Sequence, residues 1–166
     1  MTRTATLRAV GLTVAVDAVL VAAACLVPAA SHAMAYPLYT LNPMFAMLLA
    51  GVLVGRRAGM ERVNALLLAV AMPLVSHLLV GMPAGDRVFC MMAELAVVAA
   101  LVPVLARRWH ALPAVMVAAL AGKVVYYALK ALLLAPAVLI GTDWMLQIFA
   151  LLLWGGLFAM VYKSGK

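Results

Sequence analysis

Long apolar runs, separated by short polar or basic segments, account for most of the chain. The runs are rich in Ala, Leu and Val and lack the two-residue alternation of membrane β-barrel strands. A helix needs about 20 apolar residues to cross a bilayer, so 166 residues provide for six such helices with short loops. We therefore predict one all-α integral membrane domain, a bundle of six transmembrane helices over residues 5–27, 44–54, 60–80, 88–106, 111–134 and 143–162.

The composition places most of the surface in lipid. Hydrophobic residues make up 69% of the chain and charged residues only 10%, whereas soluble domains carry about 25% charged residues. The mean hydropathy is +1.19. A net charge of +7 would favour nucleic-acid binding in a soluble protein, but cytoplasmic loops of membrane proteins are rich in Lys and Arg. We therefore expect the lipid bilayer, and no nucleic acid, as a partner.

The loop charges predict an orientation. If both termini lie on one side of the membrane, that side carries nine cations and the other side carries only Arg87. This asymmetry follows the positive-inside rule, so we expect both termini in the cytoplasm. The nine cations are Arg3, Arg8, Arg56, Arg57, Arg62, Arg107, Arg108, Lys163 and Lys166.

The first apolar run has two interpretations. Arg3 and Arg8 precede it and small residues follow at 31–33, as in a cleavable signal peptide. Its length, however, exceeds that of a usual signal-peptide core, and Asp17 lies at its centre. We expect a retained first span that ends before Pro28.

The predicted loop at 28–43 is long, uncharged and rich in aromatic and hydrogen-bonding side chains. Loops of this length often act as lids or binding loops. We expect Tyr36, Tyr39 and Asn42 to contribute to a binding site there.

Four charged side chains fall inside the predicted spans, where burial is costly: Asp17, Glu94, Lys123 and Lys130. They either neutralise one another or bind a ligand. Lys123 and Lys130 are seven residues apart on one helix face, about 10 Å along the axis. With the predicted orientation, polar groups of four spans gather in the outer third of the membrane. The expected substrate site comprises His77, Glu94, Lys123, Tyr126, Lys130, Asp143 and Gln147, under the loop residues Tyr36, Tyr39 and Asn42.

Small residues form a stripe along the first span, at Gly11, Ala15, Ala18 and Ala22. Such stripes let helix backbones approach closely in lipid. The stripe serves either packing within the bundle or docking of a partner.

The sequence lacks a nucleophile with a nearby base, a metal-ligand spacing and a phosphate-binding glycine loop. We therefore expect no enzymatic activity, no metal and no cofactor, and any uphill transport must draw on ions or another subunit. Cys25 and Cys90 are interpreted as packing residues rather than a disulfide.

Four segments, taken in order, resemble a known family. Residues 47–59 are similar to its second span and glycine-flanked turn, and 73–83 to its third span with a Gly-Met-Pro end. Residues 92–95 match its Met-Ala-Glu-Leu pattern. Residues 121–126 resemble an Ala-Gly-Arg-Leu-Val motif, with Lys123 in place of Arg. The family is that of the substrate-binding S components of energy-coupling factor (ECF) vitamin transporters.

The resemblance implies a bacterial or archaeal cytoplasmic-membrane protein that binds one micronutrient in an outward pocket. Spans four to six would line the pocket, and the loop after span one would cap it. A membrane-embedded coupling subunit, joined to two ATPase subunits, would dock on the stripe of span one. The two lysines and Glu94 suit a small polar ligand with a carboxylate, such as pantothenate. The alternatives are an ion-coupled carrier in which Asp17 and Glu94 titrate, and a membrane scaffold in which the charges are only paired.

Overall fold

The computed structural model describes residues 3–33, 41–134 and 144–164, and within these ranges all regular structure is helical. Six helices follow one another along the chain, which confirms the all-α prediction. They are α1 (Arg3–Ala33), α2 (Pro43–Arg57), α3 (Glu61–Val80), α4 (Gly85–Arg108), α5 (Ala111–Leu134) and α6 (Trp144–Ser164).

Five of these helices are long and apolar enough to cross a bilayer, so the protein is a multi-pass membrane helical bundle. The exception is α2, whose 15 residues extend about 22 Å, less than the ~30 Å of a hydrocarbon core. A sixth complete crossing therefore stays a prediction. The five apolar segments are Leu7–Pro28, Glu61–Val80, Gly85–Arg108, Ala111–Leu133 and Met145–Tyr162.

The helices pack in chain order around one core. The most extensive contact joins α4 to α5, α3 packs against α4 and α2, and α6 packs against α5 and α2. At the edge of the bundle, α1 packs against α2 and α3 and leaves most of its own surface exposed. The largest buried side chains of the core include Phe45, Leu48, Val52, Leu68, Met72, Val98, Val102 and Val115.

The first helix is longer than predicted. It continues through Pro28 to Ala33, so the connection to α2 begins after Ala33 rather than at Pro28. A proline removes one backbone hydrogen bond, and membrane helices tolerate this loss where the rest of the turn is satisfied. The same tolerance operates at Pro73 in α3 and at Pro103 in α4.

Several arginines gather at one end of the bundle. Arg107, in the last turn of α4, forms an ion pair with Glu61 at the start of α3. The Arg56 guanidinium, in the last turn of α2, lies 4.1 Å from the ring centroid of Tyr162 near the end of α6 and donates to the Tyr162 carbonyl oxygen at 3.2 Å. These contacts bring together the carboxyl ends of α2, α4 and α6. We call this the basic end, defined by Arg56, Arg57, Arg62, Arg107 and Arg108.

The location of these five predicted loop cations at one end agrees with the charge asymmetry of the sequence. Which side of the membrane this end faces stays a prediction.

Candidate functional site

A buried ion pair joins the two central helices. Lys123 Nζ on α5 lies 2.8 Å from Glu94 Oε1 on α4, and the two side chains are only 17% and 8% exposed. The helices approach closely here because residue 122 is glycine. A Cβ atom at Gly122 would lie 2.9 Å from the Glu94 carbonyl oxygen and 2.9 Å from Val98 Cγ2. The two predicted possibilities for the buried charges were mutual neutralisation and ligand binding. In the structure, Glu94 and Lys123 neutralise each other.

Lys130 is also buried, at 8% exposure, but its surroundings differ. Its Nζ lies 5.8 Å from the ring centroid of Tyr126 and 5.8 Å from that of Tyr127. The two rings pack edge to face, 5.2 Å apart. No carboxylate pairs with Lys130 within residues 3–33, 41–134 and 144–164. The aromatic faces attract the ammonium, yet they do not neutralise it.

Tyr126 connects the two lysines. Its ring centroid is 5.3 Å from Lys123 Nζ as well as 5.8 Å from Lys130 Nζ. The group therefore combines two ammonium groups with one carboxylate and leaves one positive charge without a described counterion. We call it the lysine cluster, defined by Glu94, Lys123, Tyr126, Tyr127 and Lys130. It brings together four of the predicted site residues, and Tyr127 joins them.

His77 has a structural role in the α3–α4 turn. Its Nδ1 lies 2.8 Å from the Pro83 carbonyl oxygen, and the neighbouring Ser76 hydroxyl donates to the Met82 carbonyl oxygen at 2.7 Å. Gly81 ends α3 with a φ of 75°, a conformation that favours glycine, and its N–H donates to the His77 carbonyl oxygen. The ring of His77 thus has a backbone partner of its own and is not needed to explain the lysine cluster.

Gln147, another predicted site residue, has a buried side-chain oxygen. Its side-chain Oε1 is buried and has no hydrogen-bond partner in the described part of the chain. Gln147 lies one turn into α6, near the end opposite the basic end. The hydroxyl of Ser31, in the last turn of α1, is buried without a partner in the same way. Buried polar atoms are usually paired, so unpaired atoms call for an explanation, such as an unseen ligand or water.

The predicted residue Asn42 lies on the connection before α2. Asn42 precedes α2 with a φ of 48°, and its carbonyl oxygen accepts from the Phe45 N–H at 3.1 Å. The adjacent Leu41 carbonyl oxygen accepts from Trp154 Nε1 at 2.6 Å, which ties α6 to the start of α2. The predicted site residues Tyr36, Tyr39 and Asp143 lie outside the described residues.

Asp17 lies near the middle of α1 and of its apolar segment Leu7–Pro28, as predicted. Its Oδ1 accepts from Asn64 Nδ2 at 3.1 Å, and Asn64 lies one turn after the start of α3 at the basic end. Along α1, Asp17 is about 24 Å from Ala33, the last residue of the helix, at 1.5 Å per residue. The same Asn64 amide donates to the Gly51 carbonyl oxygen at 3.0 Å, so it links α1, α2 and α3.

Asn64 was not among the residues predicted from the sequence. The available signal was an amide inside an otherwise apolar run, the same kind of signal that singled out the charged residues.

The small-residue stripe is exposed, and its residues Ala18 and Ala22 border the groove between α1 and α3. Gly11, Ala15, Ala18 and Ala22 are all exposed. The packing face of α1 lies on the opposite side, where Thr13 and Ala24 are buried. The four residues are therefore not buried by packing within the described part of the chain.

A search of protein-family models, curated proteins and solved structures finds no match to this chain. A role for the lysine cluster must therefore be inferred from its own side chains. Among the described residues, no three His, Cys, Asp or Glu side chains are grouped to hold a metal ion. Cys25 and Cys90 are free thiols.

Two cavities lie away from the lysine cluster. The larger, of about 740 Å³, is an apolar groove between α1 and α3 that is lined in part by Asp17, Ala18 and Ala22. The smaller, of about 220 Å³, lies at the basic end and is lined by Arg62, Pro103, Val104, Arg107 and Arg108.

Proposed function

We propose that this protein is the substrate-binding membrane subunit of an uptake system for a small water-soluble micronutrient, of the ECF S-component type. The observation that carries the proposal is Lys130, a buried ammonium with aromatic contacts and no described carboxylate. Charged groups within a membrane protein are costly and usually face a partner or a substrate pathway. Because Lys123 is occupied by Glu94, Lys130 is the amine left for a ligand.

The charge of the lysine cluster favours an anionic ligand. Two ammonium groups and one carboxylate leave a net positive charge, which a ligand carboxylate next to Lys130 would neutralise. The buried Oε1 of Gln147, which has no partner among the described residues, would accept from a hydroxyl or amide N–H of a ligand that reaches it. A molecule that carries a carboxylate, hydroxyl groups and an amide, such as pantothenate, offers this combination.

The exposed stripe on α1 supports a partner in the membrane. Helices associate in lipid through small residues that allow close backbone approach. Because Gly11, Ala15, Ala18 and Ala22 are exposed, a coupling subunit could dock on them without rearrangement of the bundle. Two ATPase subunits bound to that coupling subunit would provide the energy.

The alternative functions have less support. An ion-coupled carrier would use Asp17 and Glu94 as its titrating groups, but each already has a partner on a neighbouring helix. A scaffold protein explains those pairs, yet it gives no role to the buried ammonium of Lys130, which has no carboxylate partner among the described residues.

The proposal is tested by ligand binding to the purified protein. Native mass spectrometry of gently extracted protein should reveal a co-purifying small anion, and calorimetry with a panel of carboxylate-bearing vitamins should identify it. Lys130→Ala should then weaken binding by about 10- to 150-fold, the equivalent of the 1.5–3 kcal/mol of a charge-assisted hydrogen bond. Leu132→Ala, at an 80% exposed position on the same helix, should bind as the wild type does.

Two results would contradict the proposal. Equal affinity of Lys130→Ala and the wild type would remove Lys130 from the site. Ligand uptake by cells that lack every coupling ATPase would show that the protein transports alone, as the carrier hypothesis requires.

A further inference from the structure

The cleft at the basic end combines three guanidinium groups with an apolar floor. It lies between the start of α3 and the end of α4. Arg62, Arg107 and Arg108 provide its polar part, and Pro103 and Val104 provide the floor. Its volume is about 220 Å³. A cleft of this composition is suited to a group that is anionic on one side and apolar on the other.

The charges of the cleft are not balanced within the described part of the chain. Glu61 forms an ion pair with Arg107, and no acidic side chain among residues 3–33, 41–134 and 144–164 pairs with Arg62 or Arg108. Three cations and one carboxylate leave two positive charges. Guanidinium groups bind phosphate oxygens through paired N–H donors in a planar fork, so the cleft offers good donors for a phosphodiester.

An apolar track continues from the arginines along the two helices. On α3, Leu66 and Val70 follow Arg62 at four and eight residues and are 39% and 40% exposed. On α4, Ala100 and Val97 precede Val104 at four and seven residues and are partly exposed. Residues at these spacings share one helix face, so both tracks lead from the arginines toward the middle of the spans.

The combination favours a lipid over a free anion. Inorganic phosphate would use the arginines alone, whereas an acyl chain would also cover the track of Leu66, Val70 and Val97. The position agrees, because the cleft lies at the ends of helices that are long enough to span a membrane. Basic pockets between helices on the cytoplasmic side are known to suit anionic lipid headgroups, and the positive-inside rule predicts that the basic end faces that side.

We propose that the cleft of Arg62, Arg107 and Arg108 binds the phosphodiester headgroup of an anionic phospholipid, with an acyl chain along the apolar track. Arg62 and Arg108 hold the headgroup. Arg107 holds Glu61 and thereby fixes the spacing of α3 and α4 at the mouth of the cleft. This site is separate from the lysine cluster and does not depend on the proposed uptake function.

The test compares lipids on the purified full-length protein. Phosphatidylglycerol should raise the thermal unfolding midpoint in detergent and appear as a bound adduct in native mass spectra. Phosphatidylcholine has a neutral headgroup and inorganic phosphate lacks an acyl chain, so neither should do so. In Arg62→Gln/Arg108→Gln, phosphatidylglycerol affinity should fall about 30-fold, at about fivefold for each basic residue removed. The matched control Arg57→Gln/Arg87→Gln removes two exposed cations outside the cleft and should bind as the wild type does.

Each contrary result overturns the lipid site. Equal stabilisation by phosphatidylcholine would show that the headgroup charge is not recognised. Stabilisation by inorganic phosphate alone would indicate a free-anion site. Equal loss of lipid in both double variants would indicate unspecific attraction to net charge. The wild-type lipid comparison decides the point even if a variant unfolds.

Discussion

Lys123 Nζ and Glu94 Oε1 are 2.8 Å apart in the interior of the bundle, and this contact joins α5 to α4. Removing one member of a buried ion pair leaves the other charge without compensation. Glu94→Gln should therefore lower the free energy of unfolding by about 3–5 kcal/mol. Chemical denaturation in detergent, followed by circular dichroism, measures the change.

The double variant Glu94→Gln/Lys123→Met provides the decisive comparison, because it removes both charges. Its stability should return close to that of the wild type. Asp86→Asn, which neutralises an exposed acid on the same helix, is the control and should cost less than about 1 kcal/mol. If Glu94→Gln cost no more than Asp86→Asn, the pair would not stabilise the bundle.

The close approach of α4 and α5 depends on Gly122. A methyl group at this position would lie 2.9 Å from the Glu94 carbonyl oxygen, which is backbone and cannot rotate away. Gly122→Ala should therefore destabilise the protein by about 1–3 kcal/mol through overpacking, despite the better helix propensity of alanine. The midpoint of chemical denaturation reports this change.

Gly156→Ala is the matched control in α6, since a Cβ there meets nothing within 4 Å. It should be neutral or stabilising by up to about 1 kcal/mol. Equal effects of the two substitutions would mean that α4 and α5 are not as closely packed as described.

Asn64 should contribute more to the stability of the protein than its position in an apolar run indicates. Its amide donates to Asp17 Oδ1 and to the Gly51 carbonyl oxygen, so Asn64→Ala removes two hydrogen bonds between helices. We expect a loss of about 2–4 kcal/mol, the sum of two hydrogen bonds of which one is to a charged group. Val63→Ala removes an exposed neighbouring side chain and should change stability by less than about 0.5 kcal/mol.

A second measurement on Asn64→Ala is specific to α1. Because α1 packs only at the edge of the bundle, the loss of this link should increase proteolysis between α1 and α2 before the rest unfolds. Unchanged protease sensitivity would contradict the role of Asn64 as the link.

Long apolar runs were enough to predict the helices, because each helix in lipid satisfies its backbone locally and its composition follows directly from its surroundings. The end of α1 could not be predicted from Pro28. A proline can either kink a membrane helix or end it, and the sequence alone does not distinguish the two outcomes.

Side-chain partners were harder to predict than elements. The spacing of Lys123, Tyr126 and Lys130 is local to one helix, so their common face followed from the sequence. The pairing of Lys123 with Glu94, and of Asp17 with Asn64, depends on which helices are neighbours and at what depth. Asp17 shows the consequence, since its central position in α1 followed from the sequence but its partner on α3 did not.

The exposed stripe of α1 leads to a prediction that separates docking from ligand binding. Ala15→Leu/Ala18→Leu adds bulk at two exposed positions of α1. The variant should keep the wild-type unfolding free energy within about 0.5 kcal/mol for each substitution and bind the ligand of the lysine cluster with unchanged affinity. Uptake of that ligand by cells should nevertheless fall strongly, because leucine side chains keep a partner helix at a distance.

Ala128→Leu is the control for added bulk, since it places the same side chain at an exposed position of α5. Its uptake should match that of the wild type. Normal uptake by Ala15→Leu/Ala18→Leu would show that the stripe is not a docking face, whatever the ligand proves to be. Loss of binding as well as uptake would instead place the stripe's effect inside the bundle, contrary to the exposure of all four of its residues.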